Sequence, residues 1–396
     1  MRCRDGGVGG RQGHGGGGGG GPITEWCSDG RPKTGLVRCE DGNLRYFDPE
    51  TGAMVTNQWH NEYEAVWYYF GADGTAVSGW QSIGGDKYYF YPESHDMAYG
   101  RVQIDGKNYF LNTPGANADG RMQHSGWFYD SIYGKWSYAT SGGELLTGWH
   151  NLGGAWYYFN ESGVMLTGWI NDSGTWYYTN ASGAMVTGWL NIGGTWFYLD
   201  GSGAMVANSW RSLGGSWYWF GDSGAMATGW FLAGGSWYYA SGSGAMATGW
   251  LSNGGTWYWL GGSGAMASNS WANVGGVWYW FDDSGAMATG WRQVGGAWYY
   301  FSGSGAMAHD AWVGDYYLQS SGAMATNAWV GSYYVGEDGK WIPGYGLVWY
   351  KSGSHVYHTH KCRTVGKDAK GYSQISIQEA QRRGASRECK NCQQIG

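Results

Sequence analysis

Thr187-Gly188-Trp189-Leu190-Asn191-Ile192-Gly193-Gly194-Thr195-Trp196-Phe197-Tyr198, followed by Ser202-Gly203-Ala204-Met205, is one copy of a pattern that the chain repeats. The glycine pair stands between two short aromatic segments, the signature of a two-residue hairpin turn that needs positive φ. Pairing is symmetric about such a turn. In an earlier copy with Gly153-Gly154, Leu152 faces Ala155, Asn151 faces Trp156, His150 faces Tyr157 and Trp149 faces Tyr158. Cross-strand partners share a face and successive residues alternate, so Trp149, Trp156 and Tyr158 lie on one face and Tyr157 on the other.

The first tryptophan marks ten copies, Trp149, Trp169, Trp189, Trp210, Trp230, Trp250, Trp271, Trp291, Trp312 and Trp329, spaced 20, 20, 21, 20, 20, 21, 20, 21 and 17 residues apart. A second follows seven residues later in eight of them: Trp156, Trp176, Trp196, Trp217, Trp237, Trp257, Trp278 and Trp298. A lone hairpin buries neither face, so a period this short means one small unit stacked on its neighbours. Two of the 21-residue spacings arise where Thr-Gly-Trp becomes Ala207-Asn208-Ser209-Trp210 and Ser268-Asn269-Ser270-Trp271, 61 residues apart. An insertion in every third repeat fits a superhelix of about three hairpins per turn, and equally a duplicated block of three repeats. The fold class reads as all-β, a solenoid of repeated β-hairpins, with a small α+β Cys/His module at the C-terminal end.

Composition narrows the partners. Aromatics make up 18% of the 396 residues and charged residues only 14%, while the 76 glycines fall at fixed repeat positions without a Gly-X-Y period and are turn residues. Between 141 and 335 there are nine acids (Glu144, Glu161, Asp172, Asp200, Asp222, Asp282, Asp283, Asp310, Asp315) against Arg211 and Arg292. That balance argues against nucleic-acid phosphate and suits a cation or a neutral sugar. No segment approaches the run of about 18 apolar residues that spans a membrane. Met1-Arg2-Cys3-Arg4 leads into glycines with no apolar signal region, so the start reads as incomplete for an array expected to work outside the cell, at the surface or wall. Residues 1–34 read as a Gly-rich disordered segment, 35–140 as degenerate repeats, 141–335 as regular repeats and 345–396 as the terminal module. Six cysteines sit at the two ends, and Cys27 with Cys39 is a candidate pair.

The copy quoted first resembles the choline-binding and cell-wall-binding repeats of Gram-positive surface proteins and phage lysins, and the related repeats of glucan-binding glucosyltransferases and clostridial toxins. The resemblance covers about 35–335 and is strong from 141. It implies a left-handed solenoid in which choline of teichoic acids sits in aromatic cages between consecutive hairpins. A quaternary ammonium donates no hydrogen bond, so ring faces are its receptor, at roughly 0.5–2 kcal/mol per contact. Many weak cages on a repeating polymer then give avidity. Carried over by position, the resemblance implies cages of Trp149 and Trp156 with Tyr178, Trp169 and Trp176 with Tyr198, Trp189 and Trp196 with Trp219, and so on through Trp210, Trp217, Tyr239, Trp230, Trp237, Trp259, Trp250, Trp257, Trp280, Trp271, Trp278, Tyr300, Trp291 and Trp298. The middle aromatics Tyr157, Tyr177 and Phe197 are assigned to packing, and Met165, Met185 and Met205 to the hairpin interface. Glucan stacks on the same flat rings and is the alternative ligand. No catalytic set is visible, because Glu161, Asp200 and Asp222 fall at turns; a wall hydrolase would need a further segment upstream.

The tail carries Tyr357-His358, Cys362, Ser376-Ile377-Gln378-Glu379-Ala380, Gly384 and Cys389-Lys390-Asn391-Cys392. It resembles a small module at the ends of some bacterial surface proteins and secreted nucleases. Ser376 with Glu379 is a capping box, which predicts a helix from Ile377 to about Arg383 ending at Gly384. That helix returns Cys389 and Cys392 toward His358 and Cys362, which meet the four-donor demand of a closed structural zinc site. A disulfide among the three cysteines is the rival. His355 and His360 read as solvated bystanders.

Overall fold

The computed structural model describes residues 33–63, 66–112, 119–130 and 134–393. The segment expected to be disordered falls outside that range up to residue 32, and so does Cys27, while Cys39 lies within it and is buried. Among the described residues, fifteen two-stranded antiparallel sheets precede one four-stranded sheet. The chain divides into two parts, the first ending at Val206 and the second beginning at Ala207. No helix among the described residues is long and apolar enough to cross a membrane.

Each regular repeat is the hairpin that the Gly-Gly pair demands. Strands Gly148–Leu152 and Ala155–Phe159 pair in the expected register, Trp149 against Tyr158 and Asn151 against Trp156. Gly153 and Gly154 take φ of 66° and 91°, the primed geometry that matches the twist of the flanking strands. Asn151 Oδ1 accepts from the Gly154 N–H at 3.2 Å and fixes the turn.

Stacking supplies what one hairpin lacks. The last residue of the second strand is fully buried in every regular copy, whether Phe159, Leu199, Phe220, Leu260 or Phe281. Thr179 fills that position once, and its hydroxyl is satisfied by the Leu166 carbonyl at 3.0 Å. The loop methionine bridges back to this residue and donates its N–H to the preceding hairpin: Met185 to Trp156 O and Met205 to Trp176 O in the first part, Met246 to Trp217 O and Met266 to Trp237 O in the second, all at 2.8 Å. The glycine of Ser-Gly-Ala-Met is doubly required. Gly183 has φ of 84°, and a Cβ there would overlap the Met165 sulfur of the preceding repeat.

The inserted residue of the 21-residue spacings has a backbone reason. In Thr-Gly-Trp the positive φ belongs to the glycine, 82° at Gly188. In the longer copies Asn208 and Asn269 take it, at 44° and 45°, and bond their N–H groups to Gly221 O and Asp282 O. Asparagine is one of the few non-glycine residues that tolerates this region. Asn327 repeats the device three hairpins further on, while Asp310, at 51°, breaks the strict period of three.

The terminal module is a four-stranded sheet in the order Ser373–Ser376, Leu347–Tyr350, Val356–His358, Arg387–Glu388, the last pairing parallel. The expected helix spans Ile377–Arg382 with Ser376 as its N-cap, whose hydroxyl accepts from the Glu379 N–H at 3.1 Å. The Glu379 carboxylate turns away from the cap to Arg382 and Arg383, at 2.8 and 2.7 Å.

Candidate functional site

Between consecutive hairpins the rings form open boxes. Trp250 and Trp257 stand edge to face with centroids 6.2 Å apart, and Tyr279 of the next hairpin meets Trp250 at 4.8 Å. Met287 from the following loop and Gly303-Ser304 from the loop after that complete a cavity of 370 Å³. The arrangement recurs at Trp271, Trp278, Tyr299 and Met307, with 400 Å³, and at Trp291, Trp298, Tyr316 and Met324, with 310 Å³. In the last box Asp338 occupies the wall that Ser304 forms in the first. The second tryptophan stays open to solvent, 46% exposed at Trp257. In the first part Trp149 meets Tyr177, and Trp169 meets Phe197, both at 5.0 Å.

The third ring is therefore not the one expected from the sequence. Tyr178, Tyr198, Trp219, Tyr239, Trp259, Trp280 and Tyr300 each pack against the first tryptophan of their own hairpin, at 5.1–5.3 Å. The middle residues Tyr177 and Phe197, read as packing, and their counterparts Tyr238, Tyr258, Tyr279 and Tyr299 meet the tryptophan of the preceding hairpin. Stacking explains this: the tryptophan face of one hairpin is apposed to the opposite face of the next, and alternation puts only the middle aromatic there. The methionines serve both the interface and the cage wall. Two further sets lie where the repeat looked degenerate. Trp59 meets Tyr88 at 5.0 Å, with Trp67 packed against the cluster of Tyr88, Phe90 and Met97, and Trp127 meets Trp136 and Tyr157 at 6.5 and 4.9 Å. Following the frame of the buried Phe90 and Phe159 back along the chain would have found them.

Two of the array's scattered acids serve the backbone. Asp200 Oδ1 accepts from the Ser202 and Ala204 N–H groups at 2.8 and 3.2 Å, and Asp282 does the same for Ser284 and Ala286.

In the terminal module the ligand atoms of His358, Cys362, Cys389 and Cys392 lie within 4.8 Å of one another, and all four residues are buried. Together they could hold a metal ion. His358 ends a strand, Cys389 N–H bonds to Tyr357 O at 2.8 Å, and Cys392 lies in the short helix Lys390–Gln393. Burial pushes the Cys362 thiol up, but the Val365 N–H, the His358 ring at 3.2 Å and the Thr364 N–H outweigh it and bring the thiol down to about 6. His360 is less solvated than expected, since its Nε2 is shielded.

Comparison with known proteins agrees with this geometry. The choline-binding repeat families match residues 146–187, 180–210, 208–247, 270–312 and 306–341, and the cell wall binding repeat family matches 57–76, 78–92 and 248–266. Glucosyltransferase-S of Streptococcus mutans is 33% identical over 120 residues, 30% of this chain and 8% of that protein. Glucosyltransferase-I of Streptococcus downei is 27% identical over 167 residues, 31% and 10%. The chain thus spans a tenth or less of the curated relatives it matches. Among solved structures, CbpJ of Streptococcus pneumoniae is 33% identical, covering 68% of this chain and all of that one, with a TM-score of 0.45. Choline binding protein F of Streptococcus pneumoniae is 32% identical, covering 63% and 98%, with a TM-score of 0.43. The repeat pattern, the hairpin register and the repeat-family matches place the chain among the choline-binding repeat proteins.

Proposed function

We propose that the chain binds choline-bearing polymers of a bacterial cell wall, outside the cell, through many weak cages acting together. The observation that carries this is the open box of Trp250, Trp257, Tyr279 and Met287, repeated along the chain, whose walls are ring faces and a thioether. A quaternary ammonium is the ligand such walls suit, because it offers charge and no hydrogen bond. Calorimetric titration of the full chain with choline and with dextran tests it. Saturable heat with choline and none with dextran is expected; the reverse would transfer the site to glucan.

Glucan binding is the second reading, favoured by the match to two glucosyltransferases. Against it, a sugar needs a few convergent polar groups, and the box offers only Gly303 and Ser304 beside its rings. Binding rather than catalysis is the proposed activity, since the array's acids at 200 and 282 are spent on turns. The chain would then act alone or as the targeting part of a longer wall hydrolase.

The Cys/His centre is assigned to structural zinc. Three sulfurs and one imidazole would give zinc a closed tetrahedral set with no position for water, which suits a scaffold and not a catalyst. The zinc would fasten the strand Val356–His358 to the helix Lys390–Gln393 in a module whose own core is small.

A further inference from the structure

Among the described residues, one position in the series has lost all three of its rings. In the hairpin Gly100–Ile104 and Lys107–Leu111, Arg101 stands where the first cage tryptophan belongs and Asn108 where the second does. In the next hairpin Ser137 holds the place of the middle aromatic. These residues close the box upon itself. Arg101 donates from Nη2 to Ser137 Oγ at 2.8 Å and from Nη1 to Ser162 O at 3.2 Å. Ser162 lies in the loop that corresponds to Gly303-Ser304, the far wall of the Trp250 box. Asn108 Nδ2 donates to Glu161 O, and Ser137 Oγ donates to Gly163 O, both at 2.6 Å. Arg101 Nε faces the Asp130 carboxylate at 3.5 Å, and its guanidinium carbon lies 5.6 Å from the Phe110 ring centre.

We propose that Arg101 is the resident cation of this site: the guanidinium occupies the place an external ammonium takes elsewhere, so this position binds no ligand and instead ties three successive repeats together. The inference rests on reading the aromatic boxes as cation sites. The guanidinium lies over Phe110, its own cross-strand partner and a ring outside the box positions, at a distance compatible with a cation–π contact. The difference from a regular box is the supply of fixed acceptors. A partly buried guanidinium gains most from a carboxylate and further hydrogen bonds that offset its desolvation. Asp130, 2% exposed, and the Ser162 carbonyl provide them. No regular box offers such a set to a quaternary ammonium, which has no N–H to use it.

The test compares the full chain with Arg101→Ala, measuring thermal unfolding with and without methylguanidinium, and the number of cholines bound per chain by calorimetry. A lower Tm for Arg101→Ala, restored saturably by methylguanidinium that leaves the wild type unaffected, is expected, with a choline count no lower than wild type. An unchanged Tm, a variant indifferent to methylguanidinium, or the loss of one choline per chain would overturn the proposal. Should Arg101→Ala fail to fold, Arg101→Gln with Asp130→Asn removes both charges; that pair must fold and no longer respond to methylguanidinium, and a response would refute the role of Asp130. If the wild type binds no choline, the cage reading falls while the Tm comparison still judges Arg101.

Discussion

Gly183 and Gly188 offer a matched pair of perturbations. Their φ angles are 84° and 82°, but a Cβ on Gly183 would overlap the Met165 sulfur, whereas one on Gly188 meets nothing within 4 Å. Alanine at either position loses the freedom of the left-handed region, at about 1–2 kcal/mol. At Gly183 it must also push the thioether of the preceding repeat, an overpacking cost of about 1–3 kcal/mol. Gly188→Ala is therefore expected to destabilise its repeat by about 1–2 kcal/mol and Gly183→Ala by about 2–5 kcal/mol. Met165→Ala removes the obstruction, so in that background Gly183→Ala should cost no more than Gly188→Ala. The cycle's coupling of about 1–3 kcal/mol is then the worth of the interlock. Stability in stacked repeats is a sum of local terms, so the readout is hydrogen exchange of the Met185 and Met205 amides, which bond to Trp156 O and Trp176 O, alongside urea unfolding. Equal costs at the two glycines, or strict additivity with Met165→Ala, would refute the reasoning.

Tyr279→Leu should weaken choline at the Trp250 and Trp257 box by about 2- to 30-fold, the equivalent of one cation–π contact, while Trp280→Leu should not; indole NMR shifts of Trp257 report the site, and the opposite ranking would restore the ring assignment made from the sequence. Asp338→Asn should weaken the box of Trp291, Trp298 and Tyr316 by up to about fivefold at low salt and by nothing measurable at high salt, because an exposed carboxylate acts through a screened field. Asn208→Ala should cost about 1–2 kcal/mol in thermal unfolding and Asn208→Gly nothing or less, since φ is 44° there. Chelation of the full chain should expose residues 347–393 to hydrogen exchange and leave the repeats protected, with metal analysis giving one zinc per chain and none in Cys389→Ser; protection unchanged by chelator would mean that the centre does not hold the module together.

The hairpin was fully legible, since the Gly-Gly turn sets the pairing and the pairing sets the faces; Trp149 opposite Tyr158 follows from counting. The cage was legible only by half. Alternation says that Tyr178 and Tyr177 lie on different faces, but only the direction of stacking says which of those faces meets Trp149. The tail cluster could be read because spacing and a capped helix constrain it locally, from Ser376 through Cys392. The contacts of Arg101 could not be read, because they join a hairpin to a loop about 60 residues on, Ser162, and no local pattern reports a partner at that distance.

A box is never the property of one repeat: Trp250 and Trp257 come from one, Tyr279 and Met287 from the next, and Ser304 from a third. Excising one regular repeat in register by unequal recombination would bring equivalent halves together at the new junction. The valency of the chain would fall by one while every remaining box stayed whole. The coding sequence can therefore lengthen or shorten in steps of about twenty residues, adjusting its grip on a polymer without ever passing through a broken site.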